Sequence, residues 1–173
     1  TAVPRPLAQW QDRMSTLVGE AWSRHLPVPV TWTRSRHELA TFAAVLEKLP
    51  DPGIGYVVAI GETQFPTMWA FAPKVALSLA AELLGNMEPD WPKPRTLSAV
   101  EESLVQLLIN ELSWALGEAW PGRQSIACRP GAFESRVARS RLFARPEPMI
   151  VTEFQLATRL GDAECHWVIP QTQ

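Results

Sequence analysis

The sequence predicts an α/β (α+β) domain, with helices packed on a central mixed sheet and two related halves about a pseudo-two-fold axis. Three observations carry this expectation. Gly19-Glu20-Ala21-Trp22 recurs as Gly117-Glu118-Ala119-Trp120, 98 positions later. Each copy ends a segment whose apolar residues recur at helical spacing. Each is followed by short runs rich in β-branched and aromatic residues, bounded by Gly and Pro, which read as strands.

Held at a constant offset of 98, residues 7–75 pair with 105–173 without a gap, and 76–104 connect them. Ser15/Ser113, Ala40/Ala138, Pro50/Pro148, Ala59/Ala157 and Trp69/Trp167 match, besides the tetrapeptide itself. Apolar character recurs in register: Tyr56–Ala59 over Phe154–Ala157, Met68–Phe71 over His166–Ile169, and Val28 and Val30 over Ile126 and Cys128. The period is too long for a solenoid, so one pseudo-symmetric domain over 1–173 is expected.

Taken in order, the first helix places Leu7, Trp10, Met14, Leu17, Val18 and Ala21 on one stripe and ends before Pro27. "VPVTW", "GYVVAIGE" and "TMWAFA" follow as strands. A third segment starts a helix with Pro73 in its first turn and ends at Gly85. "GNMEPDWPKPRTL" then reads as a stiff, irregular connection because of its prolines. Ser98 and Glu101 form a capping-box signature for the strongest helix. Its stripe is Val100, Leu104, Leu107, Leu108, Leu112, Ala115, Leu116 and Ala119, and Pro121-Gly122 stops it. "SIACR", "TEFQLATRL" and "CHWVIP" complete the strands. The basic run 136–145 reads as a solvated strand, with Ala138, Ser140, Leu142 and Ala144 on one face and Arg139, Arg141 and Arg145 on the other.

Composition restricts the function. A net charge of −2 gives no field to gather nucleic acid or an anionic membrane. Only Phe143 interrupts the arginine run, so a single-strand-binding groove is not expected either. No apolar run is long enough to insert in a bilayer, and no basic-then-apolar leader opens the chain at Thr1. Cys128 and Cys165 are expected as reduced thiols. His25, His37 and His166 are scattered without metal-ligand spacing, so no metal or other cofactor is expected. Glu20 and Glu118 could be an acid–base pair. A repeated amphipathic helix, however, puts both on its polar side without any chemistry, and no catalytic residue is assigned.

The stretch "AAELLGNMEPDWPKPRTLSAVEESLVQLLINELSWALGEAW" resembles the centre of the flagellar motor switch protein FliM: a helix ending in Leu-Leu-Gly, a loop, and a new helix closing in Ala-Trp. "PVPVTWTRSRHELATFAAVLEKLPDPG" and "FQLATRLGDAECHWVIP" extend the resemblance over nearly the whole chain, as a FliM middle domain. The resemblance implies the duplicated CheC-like fold shared with the chemotaxis phosphatases CheC and CheX. It also implies a cytoplasmic, non-enzymatic scaffold in the motor switch ring at the inner face of the membrane. Its partners would be the rotor protein FliG, neighbouring FliM-like copies and the response regulator CheY. A type III secretion ring component shares these features, and an aspartyl-phosphate phosphatase is the enzymatic alternative.

Two motifs test these implications. The phosphatases carry Asp/Ser-x-x-x-Glu-x-x-Asn on the equivalent helices. Laid over it, Glu20 and Glu118 take the glutamate, Thr16 and Trp114 the leading position, and Ser23 and Pro121 the asparagine, so neither copy keeps the amide. The family's Gly-Gly-x-Gly loop, implicated in FliG contact, here reads Gly85-Asn86-Met87-Glu88. Asn tolerates a left-handed backbone, so Asn86 is expected to stand in for one glycine, whereas Glu88 replaces another outright.

Overall fold

The structure is a computed structural model and describes residues 5–50, 53–144 and 148–170. Helix α1 (Arg5–Ser23) buries Trp10, Met14, Val18, Ala21 and Trp22, the face its spacing dictates. Strand β1 (Thr31–Ala40) leads into a short helix α2 (Phe42–Lys48), whose N-cap Thr41 accepts from the Ala44 amide. The hairpin β2 (Ile54–Ile60) and β3 (Phe65–Phe71) is followed by α3 (Pro73–Leu83). The long helix α4 (Ala99–Glu118) opens with both hydrogen bonds of the Ser98/Glu101 capping box. Strand β4 (Cys128–Glu134), two 3₁₀ turns (Val137–Arg139 and Arg141–Ala144) and the hairpin β5 (Met149–Thr158) and β6 (Gly161–Pro170) complete the chain.

The six strands form one sheet in the order β1-β5-β6-β3-β2-β4. Exchanging β1 with β4, β2 with β5 and β3 with β6 returns the same order reversed, which is what a two-fold between β3 and β6 requires. Trp69 pairs directly with Trp167 at that centre, and the neighbouring pairs Met68/Val168 and Ala70/His166 are related through it. Both edge strands carry a one-residue irregularity at corresponding points, between Arg34 and Arg36 on β1 and beside Val58 on β4. Every strand pairing is antiparallel, which corrects the expected mixed sheet. The reason is local: each half contributes a hairpin, and a two-fold perpendicular to the central strands makes their junction antiparallel too.

The gap-free correspondence needs one correction. Trp32 pairs with Leu156 and Cys128 with Ile60, so β1 maps onto β4, and β2 onto β5, with an offset of 96 rather than 98. The path from Gly117 to Cys128 is two residues shorter than that from Gly19 to Trp32, and the β5–β6 hairpin restores the count with Arg159 and Leu160 at its tip. Val30 thus corresponds to Ile126, and Tyr56 to Thr152. The basic run is also corrected from strand to 3₁₀ turns. The Val137 amide bonds to the Gly53 carbonyl, and the Ser140 hydroxyl accepts from the Leu142 amide, so local bonds replace a ladder. Arg145 and the side chains of Phe143 and Ala144 lie outside the described residues.

The main core lies between the sheet and helices α1, α3 and α4. Indoles run through it in sequence, Trp120–Trp10–Trp167–Trp69–Trp32–Trp22, with successive centroids 5.0–5.7 Å apart. The central pair, Trp69 and Trp167, stacks at 6°. The two indoles of α1 bond antiparallel α4: Trp10 donates to the Leu116 carbonyl at 2.7 Å and Trp22 to Leu108 at 2.8 Å. A smaller core on the other face of the sheet joins Met68, Met149, Val151 and Val168 to Val45 and Leu49 of the α2 segment and to Val137.

Candidate functional site

The ends of α1 and α4 bring the repeated glutamates to the surface, where Glu20 and Glu118 are both exposed. Their motif neighbours serve the helices themselves. The Ser23 hydroxyl donates to the Gly19 carbonyl at 2.7 Å, and Thr16 turns back toward the Asp12 carbonyl. On α4, Pro121 has no side-chain amide and Trp114 is 47% exposed. Asn110 is an amide on the same surface as Glu118, and both line a depression of about 300 Å³ with Trp114 and Cys128. Asn110 lies two turns before Glu118, roughly 12 Å along the axis, and its side-chain oxygen accepts from Gln106. On α4, this carboxylate and this amide therefore do not converge on one attacking water. Burial pushes the Cys128 thiol up to about 11 and holds Cys165 well above its ordinary value, so neither is a ready thiolate at neutral pH.

The connection between α3 and α4 is irregular and largely exposed. Gly85 adopts φ +78, its amide bonds to the Glu82 carbonyl, and the Asn86 amide reaches the Ala81 carbonyl at 2.8 Å. This is the closing geometry a left-handed glycine permits. Asn86 itself does not take a left-handed conformation, since among the described residues Gln64 alone does so without being glycine. The expected substitution for a family glycine is thus corrected: a Schellman closure needs positive φ only at Gly85.

The loop is held at both ends. Arg95 makes two charge-assisted bonds to Glu101, at 2.7 and 2.8 Å, and Lys74 lies 5.0 Å from the Trp91 ring centre. The hydrogen bond from Arg95 is the main reason the Glu101 carboxyl is lowered to about 2. Beneath the loop, a cavity of about 320 Å³ is lined by Asn86, Glu88, Asp90, Arg95 and Arg159 among others. Glu82, 4% exposed, faces Arg159 at 3.5 Å, too long to count as a formed hydrogen bond. Burial raises the Glu82 carboxyl, while Arg159 opposes the shift.

One surface was not expected. Val100 and Leu107 belong to the predicted core stripe of α4, yet they are 62% and 43% exposed, while Val105 and Ile109 are buried. Together with Trp114 they form an outward apolar line at seven-residue spacing. Large apolar residues of α4 also stand among the polar ones of its outer face, so periodicity alone could not choose its inner face.

No protein-family model and no curated protein sequence matches the chain. Its architecture does match solved structures. The domain has the fold of FliM middle domains and, more distantly, of a CheX protein. Within that class the likeness to FliM is stronger. The chain superposes on one in the crystal structure of the FliG–FliM complex from H. pylori with a TM-score of 0.86 and 17% identity, covering 98% of this chain and 94% of that one. The FliM middle domain (51-229) from Vibro alginolyticus gives 0.78 and 16%, covering 95% and 93%. CheX from Desulfovibrio desulfuricans gives 0.52 and 12%, covering 92% and 98%. Among the described residues, no helix is long and apolar enough to cross a membrane.

Proposed function

We propose that the chain is a non-enzymatic scaffold domain of the FliM type, holding ring proteins by protein–protein contacts in a flagellar motor switch. The observation that carries this reading is the end-to-end superposition on FliM chains, combined with phosphatase-motif positions that no longer meet at a reacting group. The exposed line Val100, Leu107 and Trp114 on a rigid helix supports a role in contact between proteins. In this reading 7–75 and 105–173 are two copies of one unit joined by 76–104, which the reversed strand order and matching edge irregularities support. The domain works at the cytoplasmic face of the inner membrane, beside copies of itself, with CheY as a further partner.

The loop at Gly85, Asn86, Met87 and Glu88 is the contact for a FliG-type rotor protein. It is exposed, closed by glycine and pinned at its base, the combination that suits a binding loop on a scaffold. Replacing Asn86 and Met87 with alanine should weaken capture of purified FliG by tenfold or more and leave the melting temperature nearly unchanged. Equal capture by the variant would remove the loop from the interface. As a second arm, the domain should leave a phosphorylated response regulator's lifetime unchanged. A shortened lifetime that Glu20→Gln or Glu118→Gln abolishes would favour a phosphatase.

A further inference from the structure

The face of the sheet opposite α1, α3 and α4, beside the α2 segment, holds a cluster with no part in the scaffold reading. Antiparallel register sets Glu153 of β5 directly across from His166 of β6, and Gln155 across from Glu164. Glu153, Glu164 and His166 each offer one donor atom, and these atoms lie within 4.8 Å of one another. The imidazole is only 6% exposed and unengaged: Nε2 stands 3.9 Å from Glu153 Oε1, beyond a hydrogen bond, and Nδ1 is buried without a partner. Such a group is costly unless something completes it. The carboxylates are already oriented by neighbours. The Ser35 hydroxyl donates to Glu153 Oε2 at 3.1 Å, and the Gln155 amide donates to Glu164 Oε1 at 3.3 Å. Two supported carboxylates facing an unengaged imidazole form a metal-ligand set with an oriented outer shell.

We propose that Glu153, Glu164 and His166 bind a single divalent transition-metal ion of the zinc class. One nitrogen and two oxygens suit zinc, cobalt or manganese, whereas magnesium and calcium favour oxygen alone. Donor atoms around tetrahedral zinc sit roughly 3.3–3.5 Å apart. Glu164 is exposed, so it can close the remaining gap without disturbing the sheet. Arg36 bonds Glu153 at 3.1 Å from the solvent side and is itself 73% exposed, so a bound ion displaces it as the counter-charge. Lys48, at the rim of the same cavity, is engaged by Glu38. Three protein ligands leave a position for water or for a ligand from another protein.

The test is titration of the purified chain with zinc chloride by calorimetry, repeated with cobalt, whose visible absorption reports its coordination, and with magnesium. One zinc ion per chain should bind, with a raised melting temperature, and magnesium should do neither. Glu164→Gln, on the exposed ligand, should weaken zinc binding by roughly tenfold or more. His166→Gln should abolish it and the cobalt spectrum, provided its circular dichroism remains native. If that variant unfolds, Glu164→Gln with a third variant, Glu153→Gln, decides the matter. No zinc uptake at submillimolar concentration, equal response to magnesium, or undiminished binding in Glu164→Gln would overturn the site.

Discussion

Gly19 and Gly117 hold corresponding places near the ends of α1 and α4, yet they are crowded to different degrees. A Cβ at Gly19 would stand 3.3 Å from the Val30 carbonyl oxygen, and one at Gly117 would stand 2.3 Å from that of Ile126. From Gly117 to Cys128 the chain is two residues shorter than from Gly19 to Trp32, and the Ile126 amide bonds back to the Gly117 carbonyl. Helices, strand order and edge irregularities agree between the halves, while the connections differ in steps of two. A loop absorbs such a difference while each strand keeps its pairing register, so the core face is preserved. The comparison teaches where such a fold tolerates change: in loop length, and not at the centre.

The largest expected effect is therefore at the centre. Trp69→Ala or Trp167→Ala should each cost about 3–5 kcal/mol, since both indoles are fully buried. Because they stack on each other, the double variant should cost about 1 kcal/mol less than the summed single effects. Urea denaturation of the four proteins measures this coupling, and strict additivity would mean the central pair is two independent contacts.

A smaller effect separates the helix ends. Gly117→Ala should cost about 2–3 kcal/mol, because the new methyl meets backbone that cannot step aside. Gly19→Ala should change stability by less than about 1 kcal/mol, since helix propensity offsets the tighter contact. Equal losses would show that the shorter connection is no tighter than the longer one.

The smallest concerns the start of α4. Glu101→Gln should cost about 1 kcal/mol at neutral pH, chiefly by removing the charged partner of Arg95, since glutamine can still close the capping box. The carboxyl is depressed to about 2 in the folded chain, so its contribution is complete above the ordinary value of 4.5 and lost as pH falls through about 2. Wild-type and variant denaturation midpoints should therefore converge on acidification. A gap that persists at pH 2 would assign the effect to shape rather than charge.

Much of this architecture was legible in the chain. The recurring tetrapeptide located two equivalent helices, Ser98 and Glu101 marked the start of α4, and Gly85 marked the end of α3. Short-range chemistry fixes such features, so a sequence displays them. The outward Val100 and Leu107 were not legible, because a helix with large apolar residues on both faces takes its inner face from what packs against it. Nor was the grouping of Glu153 with Glu164 and His166, since cross-strand neighbours have no constant sequence spacing. For Asn86 the physics was local but misapplied: a tolerance for left-handed backbone does not create a need for it.

The two edge strands have a consequence for how copies of this chain could join. An exposed edge ordinarily invites another strand to pair and extend the sheet. Here β1 carries an irregularity flanked by Arg34 and Arg36, and β4 carries one beside Pro130, which has no amide hydrogen to donate. Both rims are thus poor templates for a continuous backbone ladder. In the scaffold reading proposed above, neighbours would meet through side-chain surfaces on helices and loops, where fit rather than main-chain pairing selects the partner. An array assembled in that way can come apart and re-form in register, as a fibril cannot.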